Sequence, residues 1–176
     1  MRAANRSIVL IGFMGTGKSS VGRRLADATG WPRYDTDAMI ATGLGMRITE
    51  IFDLLGEERF REEEAGILQK LDANRRAVIV TGGGAILRPE NVARLRALGT
   101  IVCLTANHAT LLERLGRRPD RPLLRTENPA ATLEKLLQER EPLYQAAADL
   151  SVDTSALTHN EVADLIRKSL ALSDGN

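Results

Sequence analysis

The sequence predicts an α/β fold: a parallel sheet covered on both faces by helices. Three observations carry that expectation. Short β-branched runs alternate along the chain with segments of helical pattern. The runs Ser7–Phe13, Ala77–Gly82 and Thr100–Ala106 are almost continuously apolar, as strands buried on both faces are. The first of them leads into Gly12-x-x-x-x-Gly17-Lys18-Ser19, a glycine-rich turn that opens onto an amphipathic segment.

Each element has its own signal. "SIVLIGF" (Ser7–Phe13) is the first strand, and Ser20–Ala28 follows as a helix with Val21, Leu25 and Ala28 at helical spacing. "RYD" (Arg33–Asp35) is a short second strand. The next helical pattern covers Ile48–Leu71, with Ile48, Ile51, Phe52, Leu55, Phe60, Ile67, Leu68 and Leu71 on its apolar side. "AVIVTG" (Ala77–Gly82) is the third strand. A helix over Pro89–Leu98 starts with a proline suited to a first turn. "TIVCLTA" (Thr100–Ala106) and "LSVD" (Leu150–Asp153) complete five strands. The loop-rich polar region is "RLGRRPDRPLLRTENPA", Arg114–Ala130. There is no repeat, low-complexity tract or linker.

Composition narrows the function. A chain of 176 residues suits one domain with one core. Hydrophobic residues make up 43% and charged residues 27%, both ordinary for a globular protein. The formal net charge of +1 supplies no bulk field toward nucleic acid or membrane, so any affinity for anions must be local. Aromatics at 3% argue against stacking platforms for single-stranded nucleic acid. The single cysteine, Cys103, excludes an internal disulfide or a multi-thiolate metal cluster, and it reads as a small core residue in its strand. His108 and His159 lie in polar, loop-like stretches and read as surface residues. The polar start "MRAANRS" and the short glycine-broken run after it have neither the form of an export signal nor the length of a membrane span. The cytoplasm is the expected location.

A strand, then G-x-x-x-x-G-K-S, then a helix is the context of a phosphate-binding P-loop. Its glycines let backbone N–H groups converge on phosphate oxygens, and the helix adds the positive end of its dipole. Lys18 can reach the β- and γ-phosphates, and the Ser19 hydroxyl can ligate Mg²⁺. The third strand ends in Thr81 and Gly82, where a metal-binding Asp often stands, so the acids are sought in "YDTDAM". Asp35 and Asp37 are two apart and can point the same way from an extended segment. One can serve Mg²⁺ while the other accepts a proton from an attacking hydroxyl. The plain alternative is a solvated turn, or a helix cap at Asp37.

"TGGGA" (Thr81–Ala85) either brings backbone close to a small ligand or makes a loose turn. Arg61 stands in "ERFREEEAG", which reads equally as an exposed charged helix face. Arg140 stands in "QEREPLYQ", where Pro142 is expected to break or kink a helix and turn Arg140 into a cleft. Two convergent arginines suit a carboxylate, which they grip in a planar, two-pronged way. The basic, proline-punctuated "RRPDRPLL" is either a surface loop or a segment that closes over phosphates.

Taken in order, "GFMGTGKSS", "DTD", "GE" with "FREEE", "TGGGA", "RPLL" and "REPLY" resemble the shikimate kinase family over nearly the whole chain. The resemblance implies a P-loop kinase fold: a five-stranded parallel sheet flanked by helices in three α/β/α layers, with a mobile lid. It implies one domain over residues 1–176, with a lid at about 114–128 and a shikimate-binding region at about 35–64. It implies transfer of the ATP γ-phosphate to the 3-hydroxyl of shikimate, with Mg²⁺ as cofactor, on the route to chorismate and the aromatic amino acids. Carried over by motif, Gly15, Thr16, Gly17, Lys18, Ser19 and Ser20 hold the phosphates, while Ser19 and Asp35 serve Mg²⁺. Asp37 contacts the shikimate hydroxyls and acts as base. Arg61 and Arg140 grip the shikimate carboxylate beside Gly82, Gly83 and Gly84. Arg121 is the lid arginine that reaches ATP, and Arg114 packs on adenine. Lys18, Asp37 and Arg121 form the catalytic set. Arg117 and Arg118 receive no role, and the adenine loop is placed only as Val152–Asn160. ATP and shikimate are the expected partners of a monomer that engages neither nucleic acid nor membrane. Two rivals remain in view: a gluconate kinase of the same fold, and a nucleotide-binding regulator without catalysis.

Overall fold

The computed structural model describes residues 6–117 and 122–172. In chain order the elements are β1 (Ser7–Gly12), α1 (Lys18–Thr29), β2 (Arg33–Asp35), α2 (Thr36–Leu44), α3 (Ile48–Lys70), β3 (Val78–Val80), α4 (Pro89–Leu98), β4 (Gly99–Thr105), α5 (His108–Gly116), α6 (Pro129–Ala147), β5 (Leu150–Asp153) and α7 (His159–Ser169). The strands form one parallel sheet in the order β2-β3-β1-β4-β5. β1 lies at its centre, with Ile8 opposite Val78 on one side and Thr100 on the other.

The alternation of side chains along β1 builds the layers. Ile8 and Leu10 pack with Val21 and Leu25 of α1 and with Val162 and Ile166 of α7. Val9 and Ile11 face the opposite way, into a layer with Leu68 of α3, Leu95 of α4, Leu111 of α5 and Leu133 of α6. Burial on both sides explains the continuous apolar runs of the central strands. Cys103 sits in this core as expected, and burial pushes its thiol up to about 11. A third, smaller cluster of Ile40, Ile51 and Phe60 joins α2 to α3.

The structure departs from the sequence expectations at several places. The helical pattern over Ile48–Leu71 is two helices that meet at a kink at Gly56, with φ 84° and ψ 166°, a conformation open essentially to glycine alone. The second piece carries Glu57, Arg61 and Glu64. Pro142 does not break α6, which runs through it. The proline removes one N–H from the ladder, but Leu133, Arg140, Tyr144 and Ala147 are all buried along the helix and hold it in place. Thr36–Leu44, His108–Gly116 and His159–Ser169 are helices whose periodicity was too short to stand out. His108 and His159 each begin a helix rather than sit in a loop. His108 is exposed, whereas His159 is half-buried beside the P-loop.

Candidate active site

The P-loop links β1 to α1 at the carboxyl end of the sheet, where open α/β sheets place their ligands. Gly15 and Gly17 take φ of 83° and 94°, which turns successive peptides in a way a side chain would resist. Helix α1 carries no acidic residue in its first turn, so its positive dipole end faces the loop unopposed. Lys18 is buried, and its Nζ donates to the carbonyls of Gly12 (2.7 Å) and Phe13 (2.9 Å). The Thr16 side chain turns inward, donating to Phe13 (2.8 Å), so only its backbone can serve a ligand.

Two side chains from distant elements brace this loop. The Thr154 hydroxyl lies within hydrogen-bond reach of the Thr16 carbonyl (3.1 Å) and the Thr105 carbonyl (3.0 Å). Arg114 donates to Gly15 O (3.2 Å), Thr154 Oγ1 (3.0 Å) and Thr154 O (2.8 Å). Arg114 thus ties α5 to both the P-loop and the segment after β5.

The acids stand across from the loop, and not on one extended segment as their spacing suggested. Asp35 ends β2 and caps α2, accepting from the Ala38 N–H (3.3 Å), while Asp37 lies in the first turn of that helix. The helix begins at once because a capping carboxylate at Asp35 satisfies one of its free N–H groups. Asp35 Oδ2 also accepts from Ser19 Oγ (3.4 Å) and from Arg33 (3.4 Å). Ser19 and Asp35 thus offer a hydroxyl and a carboxylate side by side, the hard oxygen donors that suit Mg²⁺. No group of three or more His, Cys, Asp or Glu side chains able to hold a metal occurs among the described residues.

The glycine turn after β3 brings the two halves together. A Cβ on Gly82 would lie 2.5 Å from Asp37 Oδ1 and 2.8 Å from Glu64 Oε1. One on Gly84 would lie 2.3 Å from the Arg61 guanidinium carbon. These glycines are therefore required by close approach of the chain's own side chains, and the turn is not loose. Arg61 is not on an exposed face: it is 6% exposed, donates to Glu64 Oε2 (3.0 Å) and Glu57 Oε1 (3.0 Å), and lies 5.2 Å from the Phe60 ring centroid. Arg140 is 5% exposed. Glu64 is fully buried. Loss of hydration pushes its carboxyl up to about 7, with Asp37 adding to the shift and Arg61 and Arg140 opposing it.

These residues line two adjoining recesses. The larger, ≈ 340 Å³, is walled by Gly15, Gly17, Lys18, Ser19, Ser20, Asp35, Asp37, Gly82, Gly83 and Arg114, together with Met14 and His159. The smaller, ≈ 70 Å³, is walled by Asp37, Arg61, Gly82, Gly83, Gly84 and Arg140, with Phe52, Phe60 and Leu123 supplying apolar surface. Met14, Asp37, Gly82 and Gly83 belong to both. Thr16 lines neither, and Arg118 and Arg121 lie outside the described residues. Arg117 pairs with Glu113 (2.6 Å) at the mouth of the larger recess. Sequence reasoning gave Glu64 no role, and it placed Thr154 and His159 only within the loop Val152–Asn160, without a contact for either. For Glu64 the signal was its place one helical turn after Arg61. For His159 it was the capping box Thr158-x-x-Glu161 that starts α7. Thr154 carried no signal beyond its place in that loop.

A family model described as shikimate kinase matches residues 14–171. The chain belongs to the shikimate kinase family. A shikimate kinase of Thermodesulfovibrio yellowstonii is 46% identical over 171 residues, covering 97% of this chain and 98% of that one. One from Thioalkalivibrio sulfidiphilus is 47% identical over 148 residues, covering 84% and 78%. Among solved structures, a shikimate kinase of Acinetobacter baumannii in complex with shikimate superposes with a TM-score of 0.89 at 36% identity, covering 94% of this chain and 93% of that one. The P-loop kinase fold expected from the motifs is the fold of this family member. A gluconokinase of Sinorhizobium meliloti shares the fold, with a TM-score of 0.60 at 24% identity over 95% of this chain and 92% of that one. No helix among the described residues is long and apolar enough to cross a membrane.

Proposed function

We propose that this chain transfers the γ-phosphoryl group of ATP to the 3-hydroxyl of shikimate, giving shikimate 3-phosphate and ADP. The observation that carries the reading is the shared wall: Asp37, Gly82 and Gly83 line both a phosphate-binding recess and a smaller one that holds two buried arginines. Arg61 already pairs with Glu57 and Glu64, yet it lines the small recess together with Arg140, and two guanidinium groups facing one recess suit a carboxylate. Family membership names the acid.

In this reading the backbone of Gly15–Ser20 cradles the phosphates, and Lys18 exchanges its carbonyl partners for phosphate oxygens. Ser19 and Asp35 hold Mg²⁺, which when bound offsets charge on the phosphates. Arg61 and Arg140 fix the acceptor by its carboxylate, with the backbone of Gly82, Gly83 and Gly84 beside it. Asp37 stands where the two recesses meet and takes the hydroxyl proton as the oxygen–phosphorus bond forms and the bond to ADP breaks. Arg114 borders the base end of the nucleotide together with the segment Val152–Asn160. The lid at about 114–128, with Arg121 as its cation, is carried over from the "RPLL" motif.

The chain is proposed to act as a single kinase domain and a monomer in the cytoplasm, with residues 35–64 forming most of the acceptor side. The near-neutral charge supplies no bulk attraction to a membrane or nucleic acid. An ADP-release assay offering shikimate and gluconate side by side tests the function. Turnover is expected with shikimate and Mg²⁺. Preference for gluconate, or ADP release with neither acid, would overturn the assignment.

A further inference from the structure

We infer that Tyr144 is a positioning residue for recognition of the acceptor carboxylate, acting through its grip on the Gly82–Gly84 turn and its hydrogen bond with Arg140. The inference rests on the reading that a carboxylated acceptor occupies the recess beside Arg61 and Arg140. Tyr144 is 4% exposed, and its hydroxyl donates to the Gly83 carbonyl. Its ring belongs to the core layer that also holds Ile86 and Cys103. Burial pushes the phenol above its ordinary range, against the charge of Arg140, a side-chain hydrogen bond with Arg140 and the charge of Arg61, so it remains a neutral donor to Gly83 while it also touches the Arg140 guanidinium.

Three consecutive glycines have no side chains by which the fold can hold them. Other bonds fasten the ends of the turn. The Gly82 N–H donates to the Thr36 hydroxyl (3.2 Å), the Ala85 N–H to the Gly82 carbonyl (3.2 Å) and the Leu87 N–H to the Gly84 carbonyl (3.0 Å). The Gly83–Gly84 peptide is fastened by Tyr144. A trans peptide is planar, with its N–H opposite its carbonyl, so holding Gly83 O also sets the direction of the Gly84 N–H. Gly84 lies directly against the Arg61 guanidinium and lines the small recess with it. Tyr144 follows Arg140 by one turn of α6, so a single helix face presents one arginine and orients the peptide beside the other.

Removing the hydroxyl leaves the Gly83 carbonyl without that bond and frees the peptide to rotate. Tyr144→Phe keeps the ring and its packing. It is expected to raise KM for shikimate about tenfold, the usual scale for one lost buried hydrogen bond, while kcat and KM for ATP stay near wild type. On shikimate methyl ester, which has no carboxylate charge, the ratio of wild-type to variant kcat/KM is expected to fall toward unity. A purely structural role would penalise acid and ester alike. An unchanged KM for shikimate in Tyr144→Phe, or an equal penalty on the ester, overturns the inference. If the wild type instead prefers gluconate, the shikimate assignment fails, and the same acid-to-ester comparison with gluconate still decides the role of Tyr144.

Discussion

Replacing each glycine of the 82–84 turn by alanine should produce three different enzymes, and the distances say which. At Gly84 the backbone angles, φ −99° and ψ 3°, admit alanine without strain. The penalty comes from contact: the new Cβ lies 2.3 Å from the Arg61 guanidinium carbon, where ordinary contact begins at 3.4 Å, so something must move by 3.4 − 2.3 = 1.1 Å. Arg61 cannot recede freely, because Glu64 and Glu57 each hold it at 3.0 Å and it is buried. Overpacking of this kind costs about 1–3 kcal/mol. A displacement of about 1 Å in a positioning group lowers activity by about a hundredfold. Gly84→Ala should therefore fall mainly on KM for shikimate, by about ten- to a hundredfold, with KM for ATP near wild type. At Gly82 the Cβ meets Asp37 Oδ1 at 2.5 Å and Glu64 Oε1 at 2.8 Å, so the loss should appear in kcat. At Gly83 the nearest atoms are at 3.6 Å, and alanine should leave the melting temperature unchanged or slightly raised. A coupled ADP assay with both substrates varied, alongside thermal melts, reads all three. Gly84→Ala with a wild-type KM for shikimate, or with equal losses on both substrates, would refute the reasoning.

Lys18→Met should abolish turnover while circular dichroism stays native, since the bonds of its Nζ to the Gly12 and Phe13 carbonyls lie within its own loop; substantial residual kcat would remove it from the mechanism. Asp37→Asn should lower kcat by about two to four orders of magnitude with little change in nucleotide binding, and a near-normal rate would exclude it as base. Glu64→Gln addresses pH. The Glu64 carboxyl is raised from 4.5 to about 7 by burial, so between those values the folded state holds a proton that the unfolded state has released. Stability from this group is therefore present below about pH 4.5 and declines as pH rises toward 7, by at most about 3 kcal/mol. Urea midpoints at mildly acid and mildly alkaline pH should differ more in the wild type than in Glu64→Gln, and parallel declines would show that Glu64 is not the titrating group.

Much of the fold was legible because its signals are local. A continuous apolar run needs only its own residues to declare burial on both faces, and three such runs anticipated the central strands of the sheet. The P-loop was legible for the same reason, since strand, glycines, lysine and helix are contiguous. Where the expectations slipped, a long-range term outweighed a local one. The packing of Arg140 and Tyr144 kept α6 helical through Pro142. One slip was itself local: the Asp35 cap, a bond only three residues along the chain, starts α2 at once and puts Asp37 on a helix. His159 became a wall of the larger recess because α7 packs against α1, which no residue near His159 announces.

By itself the sequence determined that a P-loop follows the first strand of a parallel sheet, and that acids, glycines and arginines of one known kinase pattern stand in order along the chain. Tertiary structure alone decided that Arg61 and Arg140 are buried, that burial raises the Glu64 carboxyl beside them, and that Asp37 faces two recesses at once. The physical reason is that a loop's conformation is governed by its own backbone, whereas hydration and charge at a side chain depend on whatever the rest of the chain brings against it.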